Sequence, residues 1–230
     1  MEYYLAECPH PEGTEDDNSG HYIFIPKISD GQRSHLYSEF KSIEAHQGDL
    51  ASEIAIVYQD AKKEAVYQTL IRLGEGKEPI EFEVKMLAVP IGDKEGKEVI
   101  AKWRFDGIDS EDVFYTDSNG LEMQERKRDA RPDWTMTSNM TVSNNYYPVT
   151  SAIAIRDKTS GAQVTVMNER AQGGTSLASG TIELMQHRRL LCMDSLNINE
   201  ALNETQADGR GIAVNTRYFV SFSNANITSV

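Results

Sequence analysis

Phe114-Tyr115-Thr116-Asp117-Ser118-Asn119-Gly120-Leu121-Glu122-Met123 decides the fold class of this chain. Asn and Gly tolerate the positive φ required at the centre of a tight hairpin turn, so Asp117-Ser118-Asn119-Gly120 predicts a hairpin tip between two strands. Working outward, Val149, Ser151, Ile153 and Ile155 alternate with Thr150, Ala152, Ala154 and Arg156. That is the period of two of one strand with one buried face. Asp157-Lys158-Thr159-Ser160-Gly161 then turns the chain, and Val164 and Val166 bring it back as a second hairpin. After Ser179-Gly180 a further strand places Ile182 and Leu184 on one face and Glu183, Met185 and His187 on the other.

The same reading extends to the rest of the chain. Residues 1–5 predict a short strand with Tyr3 and Tyr4 as aromatic strand formers. The acidic run at 15–17, between Pro9 and Gly20, reads as a solvated loop; its carboxylates are out of register with a calcium loop and its turn glycine. Residues 21–26 predict a strand that Pro26 ends, for want of an amide hydrogen. Strands follow at 54–58, 66–73 and 80–89. In the last of these, Ile80, Phe82, Val84 and Met86 face a core while Glu81, Glu83 and Lys85 face water. Val99, Ala101, Trp103 and Phe105 form an apolar stripe that places Trp103 in the core, and a final strand spans 212–222. Sustained helical periodicity is absent, so the expected fold is an all-β, antiparallel sandwich.

Composition excludes some partners. With 23 Lys and Arg against 36 Asp and Glu in 230 residues, the net charge of -13 repels nucleic acid and anionic membranes. No run approaches the roughly 20 apolar residues of a membrane span, and the N-terminus lacks a basic segment followed by an apolar stretch. Cys8 and Cys192 permit one bridge, but two unpaired small residues is the favoured reading. Asn139, Asn203 and Asn226 each begin an Asn-x-Ser/Thr sequon and are candidate glycan sites.

Several phrases occur in a telling order: Tyr22-Ile23-Phe24-Ile25-Pro26, Val89-Pro90-Ile91-Gly92, Gly96-Lys97-Glu98-Val99, Thr116-Asp117-Ser118-Asn119-Gly120, Arg128-Asp129-Ala130-Arg131-Pro132, Asn145-Tyr146-Tyr147-Pro148-Val149, Gln172-Gly173-Gly174 and Glu183-Leu184-Met185-Gln186-His187-Arg188-Arg189-Leu190. This order resembles the central β-domain of the family 38 glycoside hydrolases, the retaining α-mannosidases, and their lysosomal type in particular. The chain departs from the pattern at Ala130, where the family commonly has an aromatic residue, and in the loop from Cys8 to Ser19. The resemblance implies a large super-sandwich of the galactose-mutarotase-like kind, incomplete at both ends. Residues 1–20 would be a short strand and acidic loop, and 21–230 part of the sandwich. The parent would be lysosomal, vacuolar or secreted, and its substrate a mannose-containing oligosaccharide.

The family resemblance also implies zinc, held by two His and two Asp, one Asp being the nucleophile. The motifs that supply them, of the His-x-Asp and His-His-Asp kind, do not occur here. His10, His21, His35, His46 and His187 are scattered singly. A retaining glycosidase needs two carboxyl groups about 5 Å apart. Asp117 has a turn role, however, and Glu122, Glu125 and Asp129 lie among basic residues suited to salt bridges. No catalytic residue is assigned, the zinc ligands are expected in an N-terminal catalytic domain outside this chain, and the segment alone is expected to be inactive. By resemblance, Tyr147, with Tyr146 beside it, belongs to a loop that reaches the sugar cleft. Its phenol would bond a mannose hydroxyl while its ring packs on the pyranose; the same tyrosine could instead plug the loop onto the core. Arg188 is the third substrate-side candidate, with a structural role as its alternative, and Gln172-Gly173-Gly174 predicts a turn.

Overall fold

The computed structural model describes residues 1–8, 19–27, 35–76, 79–136, 140–193 and 200–224. Its strands, in chain order, are β1 (Glu2–Leu5), β2 (His35–Leu36), β3 (Glu39–Gln47), β4 (Ala51–Gln59), β5 (Ala65–Gly74), β6 (Ile80–Met86), β7 (Lys97–Arg104) and β8 (Val113–Ser118). They continue with β9 (Glu122–Lys127), β10 (Tyr147–Val149), β11 (Ala152–Arg156), β12 (Ala162–Asn168), β13 (Gln172–Thr175), β14 (Thr181–Arg189) and β15 (Val214–Asn224). A single 3-10 turn, Ser143–Asn145, precedes β10.

The strands form two antiparallel sheets, one of six in the order β10-β13-β14-β7-β1-β2 and one of nine in the order β3-β4-β5-β6-β15-β12-β11-β8-β9. The all-β sandwich is therefore the observed fold. Between the sheets lie Phe114, Val149, Ile153, Ile155, Val164, Val166, Ile182, Leu184 and Tyr218, all fully buried. Trp103 packs edge-on against Tyr218 at 4.9 Å, in the core as expected. The β8–β9 tip forms as its residues demand: Asn119 and Gly120 take φ of 52° and 72°, and Leu121 N–H donates to the Ser118 carbonyl at 3.0 Å.

Five expectations are corrected. The alternating run at 149–156 is two strands, because the chain leaves the six-stranded sheet after Val149 and enters the nine-stranded sheet at Ala152. Asp117 pins that crossing: its Oδ1 accepts from the amides of Thr150, Ser151 and Ala152 at 2.9 to 3.1 Å, while Oδ2 accepts from Gly120 at 2.7 Å. Residues 21–26 form no strand; Pro26 makes one bridge to Ala6, and Arg188 holds this loop instead. Glu83 does not face water. Arg72 bonds it at 2.8 Å and Asn215 at 3.1 Å, burying its carboxylate on the sheet's outer face. Gln172 to Gly174 is strand, not turn, and glycine is needed at 174 for close approach: a Cβ there would meet Val149 Cγ2 at 2.6 Å. Finally, Cys8 and Cys192 are joined in a disulfide, since pairing of β1 and β14 with β7 brings their ends together across 184 residues of chain.

Candidate functional site

The tyrosine loop sits where an edge of one sheet meets an edge of the other. β10 is an edge strand of the six-stranded sheet, and β9 an edge strand of the nine-stranded sheet beside β8. The loop entering β10 is held by a reciprocal clamp: Asn145 Oδ1 accepts from the Asp129 amide at 2.9 Å, and Asn145 Nδ2 donates to Asp129 Oδ1 at 2.7 Å. Asn145 is fully buried and also donates to the Thr141 carbonyl, and Asp129 adopts a left-handed φ of 54°. A buried amide with three satisfied bonds makes a rigid pivot.

The two adjacent tyrosines leave that pivot in different directions. Tyr146 donates its phenol hydrogen to Glu183 at 3.2 Å and packs edge-on against Phe24 at 4.9 Å. Glu183 is a hub on the face of the six-stranded sheet away from the main core. It also accepts from the Tyr4 phenol at 2.7 Å and pairs with Lys102 at 3.2 Å. Burial first, then the Glu183 charge, push the Tyr146 and Tyr4 phenols well above their ordinary range, so both stay protonated as donors.

Tyr147 faces the rim. Its ring meets Phe114 edge-on at 5.8 Å, and two guanidiniums lie against it, Arg126 at 4.4 Å and Arg131 at 4.8 Å from the ring centre. Arg126 is steadied by a bond from Nε to Thr116 Oγ1 at 3.0 Å, and Arg131 by the carbonyls of Ala130 and Asn144. Arg128 next to them reaches the carbonyls of Ser176 and Glu111. Among the described residues no partner takes up the Tyr147 phenol oxygen, which is not sealed from solvent. The ring is thus already packed by cations, and its hydroxyl is what it presents outward.

Arg188 is placed differently. It forms a fork on the fully buried Glu98, with Nη2 3.0 Å from Oε1, and the same Nη2 donates to the carbonyls of Gly20 and Ile23 at 2.9 and 2.8 Å. Asn203 accepts from Arg189 Nε at 2.6 Å and is half-buried in the loop before β15. Asn139, Asn226 and His10 lie outside the described residues. His35 stacks on Tyr3, and His187 Nε2 lies 2.9 Å from the Ile212 carbonyl. No three His, Cys, Asp or Glu side chains converge among the described residues.

Sequence patterns located the tyrosines but not what holds them. Glu183 between Ile182 and Leu184 was the available signal, a carboxylate in a strand otherwise suited to burial on both faces. The Asp129–Asn145 clamp and the two guanidiniums at Tyr147 join positions in separate elements, and no local pattern marks them.

Residues 12–195 match the glycosyl hydrolases family 38 C-terminal domain. The lysosomal alpha-mannosidase of Felis catus is 41% identical over 203 residues, covering 88% of this chain and 19% of that protein. The Homo sapiens protein of the same name is 39% identical over 215 residues, covering 93% and 20%. An alpha-mannosidase from Enterococcus faecalis shares the fold, with a TM-score of 0.61 at 13% identity over 97% of this chain and 25% of that one. The chain spans about a fifth of the length of the curated relatives. On the family match and these identities, the chain belongs to glycosyl hydrolase family 38.

Proposed function

We propose that this chain is the β-domain of a lysosomal-type, zinc-dependent, retaining α-mannosidase, that it lends Tyr147 to the wall of the sugar site, and that it has no hydrolytic activity alone. The observation that carries the sugar-side role is the contrast within the tyrosine pair. Tyr146 spends its hydroxyl on Glu183, whereas Tyr147, one residue on and following the loop that the Asp129–Asn145 bonds hold, keeps its hydroxyl for a ligand. A phenol both donates and accepts, which suits a sugar hydroxyl.

The buried carboxylates support the rest. Glu83 is engaged by Arg72, Glu98 by Arg188, Asp117 by four amides, Asp157 by Ser160 and the Asp109 amide, and Glu183 by two phenols and Lys102. Each holds structure, so none is left poised as an attacking group. The zinc ligands and nucleophile then belong to an N-terminal catalytic domain, and the substrate to mannose-containing oligosaccharides. Asn139, Asn203 and Asn226 remain its glycan acceptors and the lysosome or vacuole its compartment.

The test is direct. The purified chain with added zinc should not turn over p-nitrophenyl α-mannoside, and methyl α-mannoside should perturb the Tyr147 ring signals in NMR with a response lost in Tyr147→Phe. Turnover above the zinc blank would refute the inactivity, and an unchanged response in Tyr147→Phe would refute the tyrosine's role.

A further inference from the structure

The rim around Tyr147 is cationic in a chain of net charge -13. Elsewhere the described arginines Arg72, Arg104, Arg170, Arg188, Arg210 and Arg217 each form an ion pair, whereas Arg156 and Arg189 bond neutral acceptors, Arg156 the Gln163 side chain and Arg189 the Asn203 side chain and the Val89 carbonyl. Arg126, Arg128 and Arg131 form no ion pair among the described residues. Asp129, the acid between Arg128 and Arg131, is turned away to Asn145. Arg128 and Arg131 bond neutral main-chain carbonyls, so their charge is positioned but not neutralised. Arg126 bonds Thr116 through Nε alone, and no described residue accepts from its Nη atoms. A guanidinium fixed by a ring on one side and a hydroxyl on another, with its terminal N–H groups open, is arranged to take a planar or tetrahedral anion. Both guanidiniums lie against one ring, and an anion drawn to this rim would offset their charge.

We infer that Arg126 and Arg131, together with the hydroxyl of the Tyr147 ring they lie against, form a subsite for an anionic group carried on a saccharide, a carboxylate or a phosphate ester. This rests on the reading of Tyr147 as a sugar contact and extends it from neutral hydroxyls to charged glycans. The Tyr147 phenol would bond a ring hydroxyl while Arg126 takes the charge. The Asn145 clamp fixes the loop entering β10, and Thr116 and the Tyr147 ring fix Arg126, before the ligand arrives, which lowers the ordering cost of binding.

NMR titration of the full chain, which reads millimolar affinities, tests it with methyl α-mannoside, mannose 6-phosphate, glucuronate and inorganic phosphate. Both charged sugars should bind about tenfold more tightly than the neutral one at low salt, and the advantage should shrink at high salt. Arg126→Gln should abolish that advantage and Arg126→Lys should retain part of it, with unchanged amide spectra elsewhere showing that both variants fold. Equal binding of charged and neutral sugars would overturn the inference, as would an advantage that survives Arg126→Gln. Inorganic phosphate binding as tightly as mannose 6-phosphate would overturn it too, leaving a bare anion site of the kind an acidic polypeptide could use. If only the tyrosine reading fails, charged sugars bind and Tyr147→Phe changes nothing; if only the anion subsite fails, methyl α-mannoside still needs Tyr147 but gains nothing from a charge.

Discussion

Arg188 and Arg126 are both arginines on strands of this sandwich, and they have opposite situations. Arg188 meets a fully buried carboxylate and two loop carbonyls, so its charge and its hydrogen bonds are consumed in holding residues 20–23 to the sheet. Arg126 meets a ring and a hydroxyl, and its charge is left over. Arg188, closed on an acid, holds structure, whereas Arg126 keeps its terminal N–H groups without a described acceptor.

The largest effect belongs to the closed side. Arg188→Ala leaves Glu98 buried without its counter-charge, and breaking such a pair costs about 3–5 kcal/mol. Urea unfolding followed by far-UV circular dichroism should show that loss, while Arg126→Ala should stay within about 1 kcal/mol of the parent. Equal losses would erase the distinction between the two arginines.

Reduction of Cys8–Cys192 comes next, because the bridge anchors the same loop that Arg188 grips. A disulfide typically contributes about 2–4 kcal/mol, mostly by restricting the unfolded chain. Cys8→Ser with Cys192→Ser should destabilise by that amount, and adding Arg188→Ala should cost less than the sum of the separate losses, since both act on one loop.

Acid sharpens the comparison through Glu83. Its hydrogen bond from Arg72 holds its carboxyl at about 2, below the ordinary 4.5. With the folded value depressed, the unfolded chain takes up the proton first as pH falls. The stabilisation is complete above about pH 4.5 and is lost between there and pH 2. Asp117 behaves likewise: burial raises its pKa, but the amides of Ser151, Ala152, Gly120 and Thr150 outweigh that and lower it. A mildly acidic compartment therefore leaves both intact. Unfolding experiments across pH should show the gap between the parent and Glu83→Gln closing below pH 4.5; a gap that stays constant to pH 2 would contradict the Arg72 contact.

How far this architecture was legible from the chain depends on the reach of each signal. Hairpin tips and most strands were legible because Asn119-Gly120 and the period-two runs act over a few residues. The break at Thr150–Ser151 was not: alternation runs through it, and its cause, Asp117, lies 33 residues earlier. The Cys8–Cys192 bridge was hidden for the same reason, since only sheet assembly brings the two ends together. Tyr147 stood out through its family phrase, yet the guanidiniums that give its rim a charge come from β9 and the loop beyond, whose basic residues looked suited to salt bridges with neighbouring acids.

The smallest effect separates neighbours in the chain. Tyr146→Phe removes one of the two phenols that satisfy the buried Glu183 carboxylate, leaving Tyr4 and Lys102, and should destabilise by about 1 kcal/mol. Tyr147→Phe removes a hydroxyl with no described partner and keeps the ring against Arg126, Arg131 and Phe114, so its unfolding midpoint should shift by less than about 0.5 kcal/mol equivalent. The ligand response should reverse that order, with Tyr147→Phe losing the methyl α-mannoside perturbation and Tyr146→Phe keeping it. If both variants lose stability alike and neither changes ligand response, the two phenols do the same structural job and the rim has no claim to a sugar.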